Sequence, residues 1–310
     1  MQTIWGIDLG GTKIEGVVLA SPSPDAVIAR RRIDTEAHLG YAHIVGQIKK
    51  LVQQLEAETG VKAEQIGIAT PGTLNPSTQT MKNSNTTCLN GTPLKKDLLA
   101  TLQIPVEMAN DANCFALAEA TMGIVPNVVP HFQCIFGVIM GTGVGGGVVF
   151  RGKDGQPVVL NGLQGIGGEW GHNILEHNGY DCYCGKKGCN EKVLSGTALQ
   201  RYYEEISGQS LKLKEIVERH QQGTDPHASQ TVDRMLEYFG QSISTIINVL
   251  DPDAIVLGGG VGNIDLLYTE GVERIKKYIF NSGVVETPIL RPKLGDSAGV
   301  FGAAMLVAQR

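Results

Sequence analysis

The segment Ile4-Trp-Gly-Ile-Asp-Leu-Gly-Gly-Thr-Lys13 decides the fold, because its pattern returns later in the chain. An apolar run leads into a glycine-rich turn, and a second largely apolar run, Lys13–Ala20, follows that turn. In the other half, Cys134–Met140 leads into Gly141-Thr-Gly-Val-Gly145 and then into Gly147–Phe150. Apolar runs on both sides of a glycine turn predict two strands joined by that turn. We interpret the two segments as equivalent turns of duplicated α/β units.

The length of the chain favours two domains. It has 310 residues, and single hydrophobic cores rarely grow beyond about 250–300 residues. We expect an N-terminal α/β domain over 1–122 and a C-terminal α/β domain over 123–299. A last helix, about 300–310, should pack back on the first domain. In the second domain the apolar spacing predicts a long helix through Val232–Leu250 and another over about Leu266–Phe280.

Composition excludes several classes of partner. The net charge is −5 and no run of lysines or arginines is present, so we expect no nucleic-acid partner. The sequence shows no signal peptide, and no stretch approaches the roughly 20 apolar residues of a membrane span. Six cysteines without a disulfide-like arrangement fit a reducing compartment. We therefore expect a cytoplasmic protein without a membrane partner, and we expect a homodimer.

A compact group of metal-ligand residues stands out in the second half. One histidine and three cysteines fall within eighteen positions: His172, Cys182, Cys184 and Cys189. Three thiolates and one imidazole suit a tetrahedral structural zinc. The alternative is three reduced cysteines in a glycine-rich loop. Two carboxylates, Glu169 and Glu191, bracket the group, so a closed zinc site would serve to hold these carboxylates and their loop in place.

The glycine turns match neither of two common nucleotide motifs. Gly141–Gly146 has the spacing of a Rossmann fingerprint, but a β-branched strand and not a helix follows it. The P-loop pattern fails because Thr12 occupies the lysine position. Backbone N–H groups of such turns can face phosphate oxygens, and Gly258-Gly-Gly260 could let a flat ligand lie against bare backbone. Each glycine run could also be an ordinary tight turn.

Two aspartates follow predicted strands. Asp8 ends the first strand beside a glycine turn, where a carboxylate needs Mg²⁺ between itself and a phosphate or acts as a turn-stabilising cap. Asp111 lies between a strand and the predicted helix Ala112–Met122. It could take a proton from a hydroxyl that approaches a γ-phosphate, or it could be the N-cap of that helix. Position alone leaves both choices open.

Polar side chains suited to sugar hydroxyls occur in the same regions. Asparagines of the loop from Thr73 to Asn90 join Asn110, Glu169 and Glu191 as donors and acceptors for vicinal hydroxyls. His172 could ligate zinc through one ring nitrogen and donate to a hydroxyl through the other.

Taken together, these motifs resemble the ROK family of bacterial sugar kinases and repressors, within the actin-like ATPase/hexokinase fold. The resemblance covers the whole chain. It implies two duplicated actin-like (ribonuclease H-like) α/β domains with a cleft between them, and it implies ATP, Mg²⁺ and structural Zn²⁺ as cofactors. It makes Asp111 the catalytic base.

The resemblance also assigns the binding residues. Nucleotide contacts fall on glycine-turn residues: Asp8, Gly10, Gly11, Thr12, Lys13, Gly141, Thr142, Gly143, Gly258, Gly259 and Gly260. Sugar contacts fall on Gly72, Thr73, Asn85, Asn110, Asp111, Glu169, His172 and Glu191. Zinc is assigned to His172, Cys182, Cys184 and Cys189.

Several segments bear on the identity of the sugar. Those beginning at Lys82, Glu169, Cys182 and Gly295 most resemble bacterial fructokinases that also act on mannose. We therefore expect conversion of fructose, and of mannose as a further substrate, with fructose 6-phosphate as the product. Asn110–Glu119 resembles N-acetylglucosamine kinases nearly as well, and glucokinases are a third alternative. Selection should fall to the loop Thr73–Asn90 and to a wall near Leu163–Gly168.

Two rival functions come from other classes. ROK repressors carry a helix-turn-helix domain before the first phosphate strand, and here that strand starts at Ile4. A sugar-binding scaffold without catalysis would need a broken catalytic site, whereas Asp111 and both glycine turns are present. We therefore expect an enzyme.

Overall fold

The structure, a computed structural model, describes residues 3–308. The strands are β1 (Ile4–Leu9), β2 (Lys13–Leu19), β3 (Val27–Asp34), β4 (Ile66–Thr70), β5 (Thr73–Leu74), β6 (Met81–Lys82), β7 (Val106–Asn110), β8 (Cys134–Met140), β9 (Val144–Arg151), β10 (Pro157–Val159), β11 (Ala254–Gly258) and β12 (Ile289–Leu290). The helices are α1 (Tyr41–Thr59), α2 (Leu94–Leu102), α3 (Asp111–Thr121), α4 (Val125–Val128), α5 (Glu191–Leu194), α6 (Gly196–Ser207), α7 (Leu213–Gln221), α8 (Pro226–Leu250), α9 (Gly259–Gly262), α10 (Glu270–Ile275) and α11 (Ala298–Met305). Within residues 3–308, no helix combines the length and the apolar character that crossing a bilayer requires.

The chain forms two compact units. Unit 1 contains the residues up to His131, Gly147–Gly168 and the residues from Lys293 onward, and unit 2 contains Phe132–Gly146 and Glu169–Pro292. Three stretches that the sequence analysis assigned to the second domain, 123–131, 147–168 and 293–299, therefore group with unit 1.

Helix α3 is the physical reason for this grouping. Gly147 lies directly against the backbone of Ala112, so a side chain at position 147 would clash with Ala112 O. The buried Glu119 carboxylate accepts the backbone N–H groups of Lys293 and Leu294.

The sheet of unit 1 carries three parallel strands that end at one edge. Its order is β3-β2-β1-β4-β7, with β1 antiparallel to β2 and parallel to β4, and with β4 parallel to β7. Helix α1 covers one face through Ile44, Ile48, Leu51 and Leu55, all fully buried. Each such side chain contributes about 1.5–3 kcal/mol on burial. The carboxyl ends of β1, β4 and β7, which carry or precede predicted site residues, meet at one sheet edge.

The sheet of unit 2 repeats this arrangement. The order is β10-β9-β8-β11-β12, and β8, β11 and β12 are parallel. The long helix α8 buries an apolar stripe that includes Val232, Leu236, Phe239 and Ile243. The predicted duplicated α/β fold class is confirmed, since each sheet combines an antiparallel hairpin with parallel strands.

Two helices at the end of the chain differ from the sequence prediction. The helix predicted over Leu266–Phe280 is wrong in extent, because Thr269 leaves the helical region with φ −118° and ψ −84°, and α10 covers only Glu270–Ile275. Helix α11 packs against β1, β4 and α3. Of the predicted helix 300–310, residues 309 and 310 lie outside the described residues.

Candidate active site

The four predicted zinc ligands of unit 2 come together. One ligand atom from each of His172, Cys182, Cys184 and Cys189 lies within 4.8 Å of all the others. The Sγ atoms of Cys184 and Cys189 are 3.6 Å apart, and Cys182 Sγ is 3.5 Å from His172 Nδ1. Zn–S bonds of about 2.3 Å in a tetrahedron place two sulfurs roughly 3.8 Å apart. The cluster therefore fits zinc and could bind it.

The second ring nitrogen of His172 has a different neighbour from the one predicted. His172 Nε2 lies 3.0 Å from the hydroxyl of Tyr183, and the two rings meet edge to face. A sugar hydroxyl would therefore compete with Tyr183 for this nitrogen. Burial raises the pKa of Tyr183 to about 12, with further contributions from Glu191 and other nearby acidic groups, so its hydroxyl stays protonated at neutral pH.

Hydrogen bonds connect the cysteine loop to the segment that carries Glu169. Asn190, which follows the last cysteine, donates its side-chain N–H to Trp170 O at 2.7 Å and its backbone N–H to Asn173 O at 2.9 Å. The buried Trp170 indole donates to Gly145 O at 2.8 Å. Glu169 immediately precedes this anchored turn, so its backbone position is coupled to the metal-ligand loop.

The second glycine turn, Gly141–Gly143, is supported by Glu191. The turn joins β8 to β9, as the hairpin interpretation predicts. Glu191 Oε2 accepts the Val144 N–H at 3.3 Å. A Cβ built on Gly143 would lie 2.6 Å from the same oxygen. The Glu191 carboxylate, two residues after the last predicted zinc ligand, thus packs directly against the turn.

The third glycine run lies at the end of β11. Gly259 has φ +79° and packs against the backbone of Met140, so a side chain there would be strained and would clash. A Cβ on Gly260, in contrast, would meet no atom within 4 Å. This backbone is open on one side, as the prediction of a flat ligand requires.

The first glycine turn, in unit 1, is held by Thr35. Gly10 N–H donates to Lys13 O at 2.9 Å and closes the turn between β1 and β2. The Thr35 hydroxyl donates to Gly10 O at 2.7 Å, and its backbone N–H donates to Thr12 O at 2.8 Å. Thr35 is fully buried, so its bonds to the turn are shielded from water, whereas Gly11, Thr12 and Lys13 of the turn are exposed.

Asp8 lies beside this turn in an unfavourable electrostatic environment. Burial, with the charges of Asp111 and Glu15, raises the pKa of Asp8 to about 7 against the opposing charge of Arg32. The carboxylate also packs so closely on Gly299 that a side chain there would clash with it. A cation would offset the negative charges of the Asp8 and Asp111 carboxylates. These oxygen donors therefore fit Mg²⁺.

Asp111 is the first residue of α3, but it is not the N-cap. That position belongs to Asn110, whose side-chain oxygen accepts the Ala112 N–H at 2.9 Å. Asp111 Oδ1 accepts the same N–H at 2.8 Å. Asn110 also donates its amide N–H to Gly72 O at 3.2 Å, which connects the start of α3 to the glycine after β4.

The asparagine loop and the predicted wall contact each other within unit 1. Lys82 donates its ammonium N–H to Gln164 O at 2.6 Å. A Cβ on Gly165 would lie 2.9 Å from Leu74 O. The side chain of Leu163 is 91% exposed. The two segments predicted to select the sugar are thus one connected surface.

The predicted site residues are distributed over both units. Unit 1 holds the first glycine turn with Asp8. It also brings together Gly72, Asn110 and Asp111 through the hydrogen bonds above, and Thr73 and Asn85 lie in the loop that begins at Gly72. Unit 2 holds the second and third glycine runs with Glu169, His172, Glu191 and the zinc-ligand cluster.

Comparison with known proteins identifies the family. A sequence model described as the ROK family matches residues 4–310. The chain belongs to the ROK family. Among curated ROK relatives, the N-acetyl-D-glucosamine kinase of Aliivibrio fischeri is 34% identical over 97% of this chain and 98% of its own. The enzyme of the same name from Histophilus somni is 35% identical over 99% of both chains.

Solved ROK structures agree with this assignment. A ROK hexokinase from Thermus thermophilus superposes with a TM-score of 0.84 at 31% identity, covering 98% of this chain and 97% of its own. A ROK glucokinase from Streptomyces griseus, in complex with glucose and AMPPNP, gives 0.76 at 25% identity over 99% and 100%. The predicted enzyme class, an ATP-dependent sugar kinase, is confirmed.

Sequence reasoning missed several supporting residues of this ROK enzyme. Thr35, which holds the first turn, lies outside the motifs, and Tyr183, which contacts His172, lies within the cysteine motif but received no role. Asn113 of the Asn110–Asn113 motif donates to Asn161 Oδ1 at 3.5 Å and so anchors the wall loop to α3. The sequence offered one signal for Asn113, which is a polar residue two positions after the candidate base Asp111.

Proposed function

We propose that this ROK kinase transfers the γ-phosphate of ATP to N-acetylglucosamine. The observation that carries the choice is the match, along almost the whole chain, to relatives named N-acetyl-D-glucosamine kinases. Fructose, with mannose, is the second candidate, because four short segments resemble fructokinases. We prefer N-acetylglucosamine since its support extends over the whole chain.

Asp111 is the proposed general base. It stands at the carboxyl end of β7, and Asn110 rather than Asp111 takes the N-cap position, which supports a catalytic role over a structural one. The carboxylate takes the proton of the sugar hydroxyl, the hydroxyl oxygen bonds to the γ-phosphorus, and the bond from phosphorus to the ADP oxygen breaks.

The proposed nucleotide site uses the glycine runs. Its residues are Asp8, Gly10, Gly11, Thr12, Lys13, Gly141, Thr142, Gly143, Gly258, Gly259 and Gly260. Asp8 would hold Mg²⁺, which when bound neutralises phosphate charge. The raised pKa of Asp8 supports this role, because a buried carboxylate beside Asp111 is stabilised by a cation.

The proposed sugar contacts come from two sets. In unit 1 they are Gly72, Thr73, Asn85, Asn110 and Asp111. Glu169, His172 and Glu191 of unit 2 belong to the same proposal through the resemblance. The cysteine–histidine cluster would hold a structural zinc, since all four positions are protein ligands.

A substrate panel tests the choice of sugar. We expect kcat/KM to be highest for N-acetylglucosamine in a coupled assay with N-acetylglucosamine, fructose, mannose and glucose. The fit of the pocket to one sugar rather than another changes transition-state binding by only about 1–3 kcal/mol. We therefore expect activity on more than one sugar. A preference for fructose or glucose by more than about tenfold, or roughly 1.4 kcal/mol, would overturn this proposal.

The variant Asp111→Asn tests the base. Loss of a general base typically costs about 10²–10⁴ in rate, so kcat should collapse while the sugar affinity measured by calorimetry stays within a few-fold. Asp154→Asn, in an exposed loop of unit 1, is the matched control and should keep full turnover. Near-normal kcat in Asp111→Asn would remove this residue from the mechanism.

The proposal includes a cytoplasmic homodimer. All six cysteines are free thiols in the structure, which supports a reducing compartment. Light scattering on the purified protein tests the dimer.

A further inference from the structure

Tyr183, in the cysteine loop of unit 2, lies against a proposed sugar contact. Its hydroxyl is 3.0 Å from His172 Nε2, and the two rings meet edge to face with their centroids 5.1 Å apart. The carboxylates of Glu169 and Glu191 lie near enough to act electrostatically on the same hydroxyl. Tyr183 is therefore close to all three side chains with which unit 2 is proposed to bind the sugar.

The direction of the hydrogen bond between His172 and Tyr183 follows from the other ring nitrogen. His172 Nδ1 faces the metal-ligand cluster and lies 3.5 Å from Cys182 Sγ. In that position Nδ1 offers its lone pair, either to a zinc ion or to the Cys182 thiol. A neutral imidazole that has a lone pair on one nitrogen carries its hydrogen on the other. His172 Nε2 therefore donates this hydrogen bond, and the Tyr183 oxygen accepts it.

The two partners of this hydrogen bond differ in their freedom to move. The backbone oxygen of His172 accepts the Lys186 ammonium at 2.9 Å, and its ring belongs to the ligand cluster. The side chain of Tyr183 is 73% exposed, and the Lys192 ammonium lies 5.9 Å from the centre of its ring. An exposed side chain can rotate away without disturbing packed residues. The tyrosine hydroxyl can therefore leave while His172 stays in place.

A sugar hydroxyl at His172 requires the same hydrogen atom as the Tyr183 hydroxyl. A neutral imidazole has a single N–H donor, so a sugar must displace the tyrosine before it can accept that N–H. We propose that Tyr183 occupies the sugar-binding N–H of His172 and thereby sets the affinity of the enzyme for its sugar. This inference rests on the proposed function for the role of His172 as a sugar contact.

Calorimetric titration of the purified full-length protein with N-acetylglucosamine tests the inference on wild type and Tyr183→Phe. The substitution removes the hydroxyl and keeps the ring. The dissociation constant should fall by about threefold to tenfold, because the sugar no longer has to replace a hydrogen bond within the protein. In steady-state assays kcat should stay within about twofold, since the contact of Tyr183 with His172 is already broken once sugar is bound.

Tyr180→Phe is the matched control, because it removes a hydroxyl from the same loop. That hydroxyl donates to Glu205 and not to His172, so its loss should leave the sugar affinity unchanged. Metal analysis and circular dichroism check that wild type and both variants are equally loaded and folded. An unchanged dissociation constant in Tyr183→Phe would overturn the inference. Weaker binding would overturn it too, because Tyr183 would then orient His172 or contact the sugar itself.

Failure of the sugar assignment can be told apart from failure of this inference. The substrate panel identifies the preferred hexose with wild type alone, whereas the inference concerns the ratio of affinities between Tyr183→Phe and wild type. That ratio should agree within about twofold for N-acetylglucosamine, glucose and any other hexose that binds, since the competing group belongs to the protein and acts before the sugar arrives. A gain for one hexose and a loss for another would overturn the inference.

Discussion

The two glycine turns share a sequence pattern but are supported in different ways. The first turn, at Asp8–Lys13, is held by Thr35, a buried residue that directly follows β3 of the same sheet. The second turn, at Gly141–Gly143, is held by Glu191, which lies almost fifty residues away and just after the cysteine loop that ends at Cys189. The difference indicates that the first turn depends on its own sheet, whereas the second depends on the folding of the cysteine loop.

The largest effect should come from breaking the cysteine loop. Cys184→Ala should lose zinc and lower kcat/KM by at least about 100-fold, because Glu191 would no longer be held against the second turn. Cys134→Ala, which removes a thiol outside the cluster, should retain zinc. Metal analysis measures the zinc content of both variants, and coupled assays measure their kcat/KM. Protein purified without chelator that contains no zinc, or a fully active Cys184→Ala, would contradict the dependence of the second turn on the metal loop.

The first turn should respond to pH through Asp8. The folded-state pKa of Asp8, about 7, lies above its usual value of about 4, so the folded protein binds the proton more tightly than the unfolded chain. Ionisation therefore destabilises the fold progressively as pH rises from about 4 to about 7. Asp8→Asn should remove this cost, on the order of 2–4 kcal/mol, while activity falls.

Denaturant unfolding of wild type and Asp8→Asn between pH 4 and pH 8 measures this effect. The stability advantage of the variant should grow with pH up to about 7 and then level off. A constant difference across this range would show that the Asp8 carboxyl has an ordinary pKa in the folded protein.

Adding one methyl group to each turn should sharpen the comparison. In Gly143→Ala the new Cβ would meet Glu191 Oε2 at 2.6 Å and displace it, whereas in Gly11→Ala it would meet Thr86 Oγ1 at 3.2 Å. We expect Gly143→Ala to raise KM for the sugar by about fivefold to tenfold, or roughly 1–1.4 kcal/mol, since Glu191 is a proposed sugar contact. Gly11→Ala should change it by less than twofold. Equal effects in steady-state kinetics would argue that the turns are supported alike.

The last comparison concerns the stability contributed by the threonines beside the turns. Thr35→Val removes a buried hydroxyl bonded to Gly10 O, and Thr197→Val removes an exposed hydroxyl bonded to Thr142 O at 2.8 Å. A buried acceptor left unpaired costs about 1–3 kcal/mol, whereas water replaces an exposed partner. Thermal unfolding should therefore detect Thr35→Val and barely detect Thr197→Val. The reverse order would contradict the burial argument.

Some elements could be predicted because their signals are local. Cys134–Met140 has the predicted bounds, since an apolar run and the glycine turn that follows it act within a few residues. The helix expected over Leu266–Phe280 shows the opposite case. Its pattern is helical, yet Thr269 breaks it, and Gly271 packs so closely on Phe239 of α8 that contacts distant in sequence set the backbone there.

The sequence by itself determined the duplicated strand–turn–strand units, the group of candidate metal ligands and the family, because residue types and short spacings carry this information. Only the tertiary structure decided that Asn110 and not Asp111 takes the N-cap position, that Tyr183 contacts His172, and that Glu191 supports the second turn. These contacts depend on where packed loops and helix ends place individual side-chain atoms, to within a hydrogen-bond length. Spacing along a chain does not specify such positions, because they result from burial and packing among segments far apart in sequence.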